Sequence, residues 1–512
     1  MNQSPVQLPP SRRTIYQFPA YRWIGWLAVA GFAIGLTIMF FISSMFGIPA
    51  PLGWAAFVIL FTLGTLLLDR PKLLLLVMMF YFALMPGNRF LGLLGLPLPS
   101  FLDELFFLPL LAVIVMNWIQ RRQLREATAF PLVFCLISAL SWYVNGHSGI
   151  FTALQVTLIM LKSYIVWYFC RLTCTFDDER QLSRWVWGYV IYVVAQFFYN
   201  MLWQQAPWPK FHPDRSGGVF GPDQTGGAHI VGYLSVFALF MLTSWWASVG
   251  RRSSRGRRFW ALFCLLVIGY DLVFMTDTKH ALILFPLAFW PFLFHPALPI
   301  RTRTHLAFGG LVFIVAVVVY FHIAAVRGGV LQQIENIKNS PKGEMFYAVT
   351  VDLPHLVPFP LLGAGPGRFT SNQAVDARMP LARRYIIPYD DQQRRMSYWG
   401  RQGDVAQASI LGIVRTDFFK LMGEFGWLGT VIFYSFYVWI IFRLFHKSME
   451  WPMDHLASGL FLGMACSIIF LIFITFLIGV VTVPVLVFPL WIIIGRMWDM
   501  RVVAEPSGST EP

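Results

Sequence analysis

Hydrophobic and polar positions divide the chain into a long series of apolar runs separated by short polar breaks. Runs long enough to cross a bilayer occupy residues 23 to 42, 52 to 68, 151 to 169, 185 to 203, 229 to 247, 305 to 321 and 456 to 477. Shorter runs fill the gaps at 73 to 85, 105 to 119, 129 to 144, 259 to 275, 281 to 294, 418 to 442 and 484 to 498. Together they predict an all-α polytopic membrane protein with roughly 14 transmembrane helices. The first run is as long as a full span and no small-residue cleavage site follows it, so it reads as a retained helix.

The polar breaks carry a sidedness signal. With a cytoplasmic N-terminus and alternating helices, the loops on one side are 120 to 126, 171 to 184, 250 to 258, 299 to 305 and 442 to 447, all basic. The short loops opposite, 43 to 53, 145 to 150 and 276 to 281, are nearly free of Lys and Arg, as the positive-inside rule requires. The expected layout is a cytoplasmic tail (1–22), a first transmembrane block (23–321), a large Arg-rich external loop (322–415), a second transmembrane block (416–498) and a second cytoplasmic tail (499–512). Both tails contain Pro or Ser without apolar periodicity.

Composition sharpens this picture. Of 512 residues, 57% are hydrophobic and 12% charged, outside the range of soluble domains. The net charge of +14 would suggest nucleic acid in a soluble protein, but here much of it lies in the short inside loops, so no nucleic-acid partner is expected. Cys135, Cys170, Cys174, Cys264 and Cys466 sit in or beside apolar runs, and the Cys170/Cys174 pair lacks a second pair to complete a zinc site. Neither disulfides nor a metal are expected.

The long external loop breaks the charge rule with Arg327, Arg368, Arg378, Arg383, Arg384, Arg394, Arg395, Arg401 and Arg415. Long loops translocate regardless of charge, so the topology stands, and the excess suits an anionic ligand, phosphate above all. The alternative is a solvated loop whose arginines pair with Asp376, Asp390, Asp391 and Asp404.

Four segments bring polar chemistry to the same predicted face. RTDFFKLMGEFGWLG (415–429) puts Asp417, Lys420 and Glu424 on one helical face behind Arg415, with Lys420/Glu424 able to pair with one another. Gly423, Gly426 and Gly429 repeat every third position in that helix and read as a packing seam. GAGPGRF (363–369) could form a backbone anion nest at Gly365 and Gly367 beside Arg368, or a plain tight turn. RSGGVFGPDQTGGAHIVGY (215–233) brings Arg215 through a Gly-rich turn to a helix start near His229, and TDTKHALILF (276–285) delivers Lys279 and His280.

Taken in order, these segments resemble the O-antigen polymerase and O-antigen ligase family of bacterial membrane glycosyltransferases, over roughly residues 210 to 440. The resemblance rests on Arg215 to Gly221 with Pro222 and Asp223, on Thr278 and Lys279, on GAGPGRF and on the Glu-x-Gly-x-x-Gly pattern from Glu424. The chain departs from the pattern at Arg415, where the family usually has histidine, and at Lys279, where arginine is usual. The resemblance implies a GT-C-like architecture in the bacterial inner membrane. It also implies transfer of a glycan from undecaprenyl pyrophosphate to a glycan acceptor on the periplasmic face, without nucleotide sugar, metal or other cofactor, and with a chain-length regulator as a possible partner.

In that reading Arg215, Lys279 and Arg415 stabilise the departing pyrophosphate, with Arg368, Arg383, Arg384, Gly365 and Gly367 as further substrate contacts. Asp417, Glu424 and His280 are the groups available as a base. Polymerase is favoured over ligase, and a transporter or flippase of lipid-linked glycan is the alternative from a different class.

Overall fold

The computed structural model describes residues 129–204, 227–298, 341–388, 415–479 and 483–500, apart from His147, Asp277 and Ala297, together with a few positions between 75 and 118. The predicted runs at 23 to 42, 52 to 68 and 305 to 321 lie outside the described residues, as do Arg215 to Asp223. Among the described residues the chain is helical without strands.

Among the described residues seven helices and one broken segment form the bundle: α1 (Ala129–Asn145), α2 (Ile150–Thr173), α3 (Glu179–Tyr199), α4 (Gly227–Ser248), α5 (Arg255–Tyr270), the α6/α7 segment (Lys279–Ala288 and Trp290–Phe294), α11 (Asp417–Glu450) and α12 (Leu456–Thr475). A further helix, α13 (Pro484–Met497), closes the described chain. Short helices, among them α8 (Pro341–Tyr347), α9 (Asn372–Asp376) and α10 (Pro380–Tyr385), belong to the segment between the two blocks. Among the described residues five helical stretches are long and apolar enough to cross a membrane: α2, α4, α5 with its continuation to Met275, α11 and α12. The protein is therefore a helical membrane protein, and the count of 14 spans reaches beyond the described residues.

Because lipid competes for apolar side chains, packing inside such a bundle rests on close approach and dispersion. α12 carries Gly459 and Gly463 against α4; a side chain at Gly459 would stand 2.5 Å from the Ser244 carbonyl. At the centre, Tyr164, Trp167, Phe436 and Trp491 interlock, with Phe436 stacked 4.5 Å from Phe130 and 5.7 Å from Trp491. That aromatic stack joins α1, α2, α11 and α13.

The two ends of the bundle differ in chemistry. At one end Arg171 meets Asp499 at 3.3 Å, Arg252 meets Asp454, and His295 bonds Ser448 at 2.9 Å. Residues 250 to 258 lie at this basic end. At the other end the 359–371 loop packs on the C-terminus of α1 and the start of α11.

α11 is longer than its apolar run predicts and is not one continuous helix. Gly426 has φ 67° and ψ −169°, a backbone conformation that only glycine adopts without strain, and it interrupts the helix there. The Gly423, Gly426 and Gly429 repeat thus combines a break with packing: Gly423 lies against the Phe369 ring, and Gly426 against the Leu361 carbonyl.

The short helices α8, α9 and α10 have an apolar cluster of their own, built from Met345, Phe369, Val375, Ala382 and Ile386. Phe419 and Met422 of α11 complete it, which docks this small unit onto the first turns of α11.

Candidate functional site

The glycine loop is the best-defined feature of this end. Gly363, Gly365 and Gly367 all have positive φ, at 71°, 98° and 78°, alternating with Ala364, Pro366 and Arg368, and from Gly367 to Ser371 every second amide turns toward a common centre. That centre holds the Glu424 carboxylate. Its Oε2 accepts the Gly367 amide at 2.8 Å, and its Oε1 accepts the amides of Ser371 at 2.8 Å and Phe369 at 3.2 Å. Two main-chain bonds reinforce the contact, from Ala364 to the Gly423 carbonyl at 2.7 Å and from Gly365 to the Glu424 carbonyl at 3.1 Å. Of the two forms the sequence offered, an anion nest beside Arg368 or a plain tight turn, the loop combines features of both: the Gly367 amide meets the protein's own Glu424 carboxylate, while the Gly365 amide meets a main-chain carbonyl.

α1 clamps the same loop from the opposite side. Asn145 donates to the carbonyls of Phe359 at 2.9 Å and Gly363 at 2.6 Å and accepts the Phe359 amide at 2.8 Å. Ser141 donates to Leu362 at 2.5 Å, and Ser148 donates to Pro366 at 2.7 Å. The Arg368 guanidinium is drawn inward as well, donating to the Asn145 carbonyl and to Ala364 at 3.2 Å. It fills the space left by the missing side chain of Gly146.

Lys420 does not pair with Glu424. Its ammonium lies 3.8 Å from Asp417, one turn earlier, and both side chains are buried. Thr416 caps the helix by accepting the Phe419 amide at 3.0 Å, which fixes where Asp417 enters the bundle. Arg415 lies outside the cap, donating to Asn372 at 2.9 Å with Asp376 close enough to act on its charge.

A second polar group sits on α4 and α6. Tyr233 shares a hydrogen bond with His280, and the rings of His229 and His280 lie 5.3 Å apart. The charge of Lys342, at the start of α8, reaches His280. The Lys279 backbone opens α6 beside Thr278; its side chain, like all of Arg215, lies outside the described residues.

The two groups meet at the end of α12. Lys342 donates to the Leu477 carbonyl at 2.5 Å, and the Asp417 amide faces the adjacent Ile478 carbonyl at 3.5 Å. Arg383 and Arg384 stand apart from this meeting point, exposed on α10, with Arg384 5.1 Å from the Tyr385 ring.

Three ionisable residues escape a reading by segment. Lys162 lies within the apolar run of α2, 4% exposed, and its charge reaches Lys420. Lys342 lies in the long loop segment, and Asp271, fully buried at the π-helical end of α5, accepts from Ser235 at 3.2 Å. A lysine in LIMLKSYIV and an aspartate in IGYDLVF interrupt apolar runs, and that interruption was the available signal. Among the described residues no group of three His, Cys, Asp or Glu side chains gathers to hold a metal.

No protein-family model matches the chain, and a search of curated proteins also gives no match.

Proposed function

We propose that the chain is a membrane glycosyltransferase that takes a glycan from a polyprenyl pyrophosphate carrier and transfers it to a sugar hydroxyl, as a polysaccharide polymerase does. One observation carries the reading. Polar segments far apart in sequence, at His280, Lys342 and 415–420, converge at one end of the bundle around the turn that follows α12. Buried Lys162 and Lys420 and the partly exposed Lys342 bring amines there, whereas Glu424 is held by backbone amides. An anionic headgroup entering from the membrane surface balances such a site, and cations in a low-dielectric pocket stabilise a leaving pyrophosphate strongly.

In the transfer step the acceptor oxygen attacks the anomeric carbon and the bond from that carbon to the phosphate oxygen breaks. The electron pair leaves on the pyrophosphate, toward Arg415, Lys279 and Lys420. The hydroxyl proton passes to a base, for which Asp417 and His280 are the groups in place; Tyr233 orients His280. Glu424 acts as a positioning residue that holds the glycine loop.

The test is transfer from purified lipid-linked donor in nanodiscs. Lys279→Arg retains activity and Lys279→Ala loses about 10²-fold; equal activity of the two overturns the role of Lys279. Single lipid-linked repeats accumulating on gene deletion indicate a polymerase, and long undelivered chains a ligase. The buried Lys162, well inside α2, favours a second reading as a transporter of the same lipid-linked glycan. Flipping of the donor by the protein reconstituted in sealed vesicles, with no transfer in nanodiscs, would establish that reading instead.

A further inference from the structure

At the basic end of the bundle, between α3 and α5, a groove of about 1100 Å³ lies apart from the site above. Its floor is Trp245 of α4 and Val249 just after it; Ile191 and Phe198 of α3 and Trp260 and Phe263 of α5 form the walls. From Arg184 to Phe198 the wall runs roughly 21 Å along the helix axis at 1.5 Å per residue. That exceeds the hydrocarbon depth of one leaflet, about 15 Å. Ile191 and Trp260 are 61% and 59% exposed, so the walls are open to the surrounding membrane and not closed by the bundle.

The mouth of the groove is cationic. Arg180 and Arg184 are four residues apart and therefore on one face of α3, and Arg257 faces them from α5. One acid, Glu179, also lines the groove, and it and the acids near it have other partners. Asp178 accepts the Gln181 amide at 2.7 Å, Glu179 accepts the Ala457 amide at 3.2 Å and faces His455 at 3.3 Å, and Asp454 holds Arg252. Among the described residues none forms an ion pair with Arg180, Arg184 or Arg257.

We propose that this groove binds a glycerophospholipid with a net negative headgroup, drawn from the leaflet that meets the basic end. Its phosphate lies among Arg180, Arg184 and Arg257, and one acyl chain runs up the aromatic walls toward Phe198. The argument is charge and shape together: a long apolar channel with cations at one end matches a lipid of one negative charge, and each surface Lys or Arg adds attraction for such a headgroup. A zwitterionic lipid would bring its own cation against the three arginines. The site stands on its own geometry and does not depend on the transfer reaction.

The test uses the full chain, purified and delipidated in detergent, with thermal unfolding and native mass spectrometry as readouts. Dioleoyl phosphatidylglycerol raises the unfolding temperature by several degrees and remains bound, while dioleoyl phosphatidylcholine at the same concentration gives less than half the shift. Inorganic phosphate and glycerol 3-phosphate give no shift, because the acyl chain supplies the contact with the walls. The double variant Arg184→Gln/Arg257→Gln weakens phosphatidylglycerol binding at least 10-fold. Arg255→Gln, which removes a neighbouring charge that does not line the groove, leaves binding unchanged. Equal shifts with both lipids overturn the proposal in the wild-type protein alone, whatever the variants do. So does loss of binding in Arg255→Gln equal to that in the double variant, which would reduce the effect to net charge.

Discussion

The carboxylate of Glu424 accepts the amide of Gly367 at 2.8 Å, across 57 residues of chain, and so ties the long loop between the two helical blocks to the first turns of α11. With Phe369 and Ser371 donating to the same group, three amides depend on one side chain buried to 0% exposure. Buried amides cannot turn to water, so the partner matters more than the bond strength alone suggests.

Glu424→Gln replaces one acceptor oxygen with a donor that faces amides. It lowers stability by about 1–3 kcal/mol, read as a fall in unfolding temperature in detergent. Residual transfer activity in the folded fraction keeps its pH profile. A variant of normal stability that loses only the acidic limb of that profile would instead identify Glu424 as the base.

Gly146 and Arg368 are coupled. A methyl group at Gly146 lands on the Arg368 guanidinium, and the φ of 125° is itself unfavourable for alanine. Gly146→Ala therefore costs more than about 1 kcal/mol. In an Arg368→Ala background the steric part of that cost disappears, so the double-variant cycle is non-additive. Additive losses in thermal unfolding would show that the two do not meet.

Burial pushes the Lys342 ammonium from its ordinary 10.5 down to about 7. Between those values the unfolded chain holds a proton that the folded chain lacks, so stability rises with pH through this window and is lowest below it. From about pH 6.5 to about pH 9.5 the unfolding temperature of the wild type rises. Lys342→Met flattens that rise, and an unchanged slope in the variant rules out Lys342 as its source.

Arg415 and Asp417 are separated by the cap residue Thr416 and fail differently if the proposed transfer is right. Arg415→Ala, at the mouth, weakens donor binding and leaving-group stabilisation together and lowers kcat/KM for every acceptor. Asp417→Asn leaves donor binding nearly intact and removes the acidic limb of the pH-rate profile. Loss of donor affinity in Asp417→Asn would assign Asp417 to binding alone, through Lys420 at 3.8 Å.

Much of the bundle is legible in the sequence because hydrophobicity adds up along a segment. The run at 151 to 169 becomes α2 (Ile150–Thr173), that at 456 to 477 becomes α12 (Leu456–Thr475), and even the short run at 484 to 498 becomes α13 (Pro484–Met497). Boundaries shift where a cap decides them, as when Asp178 starts α3 ahead of the run at 185 to 203. The break at Gly426 is not legible, since glycine permits both the helical conformation and the one it adopts against Leu361.

By itself, then, the sequence determined that this is a helical membrane protein and where its long apolar helices run. For the glycine loop it offered an anion nest beside a plain tight turn, while the short helices α8, α9 and α10 inside the expected loop were not legible. What was legible follows from local terms, namely side-chain transfer to lipid and the backbone freedom of glycine. Tertiary structure decided which partner each charge meets. Glu424 fills the nest instead of pairing with Lys420, Lys420 turns to Asp417, and Lys162 and Lys342 join a site from segments that carry no motif. A helical spacing of three or four leaves either neighbour available to a charged side chain. Only the approach of a second segment, here the 363–371 loop with unsatisfied amides, makes one partner far better than the other.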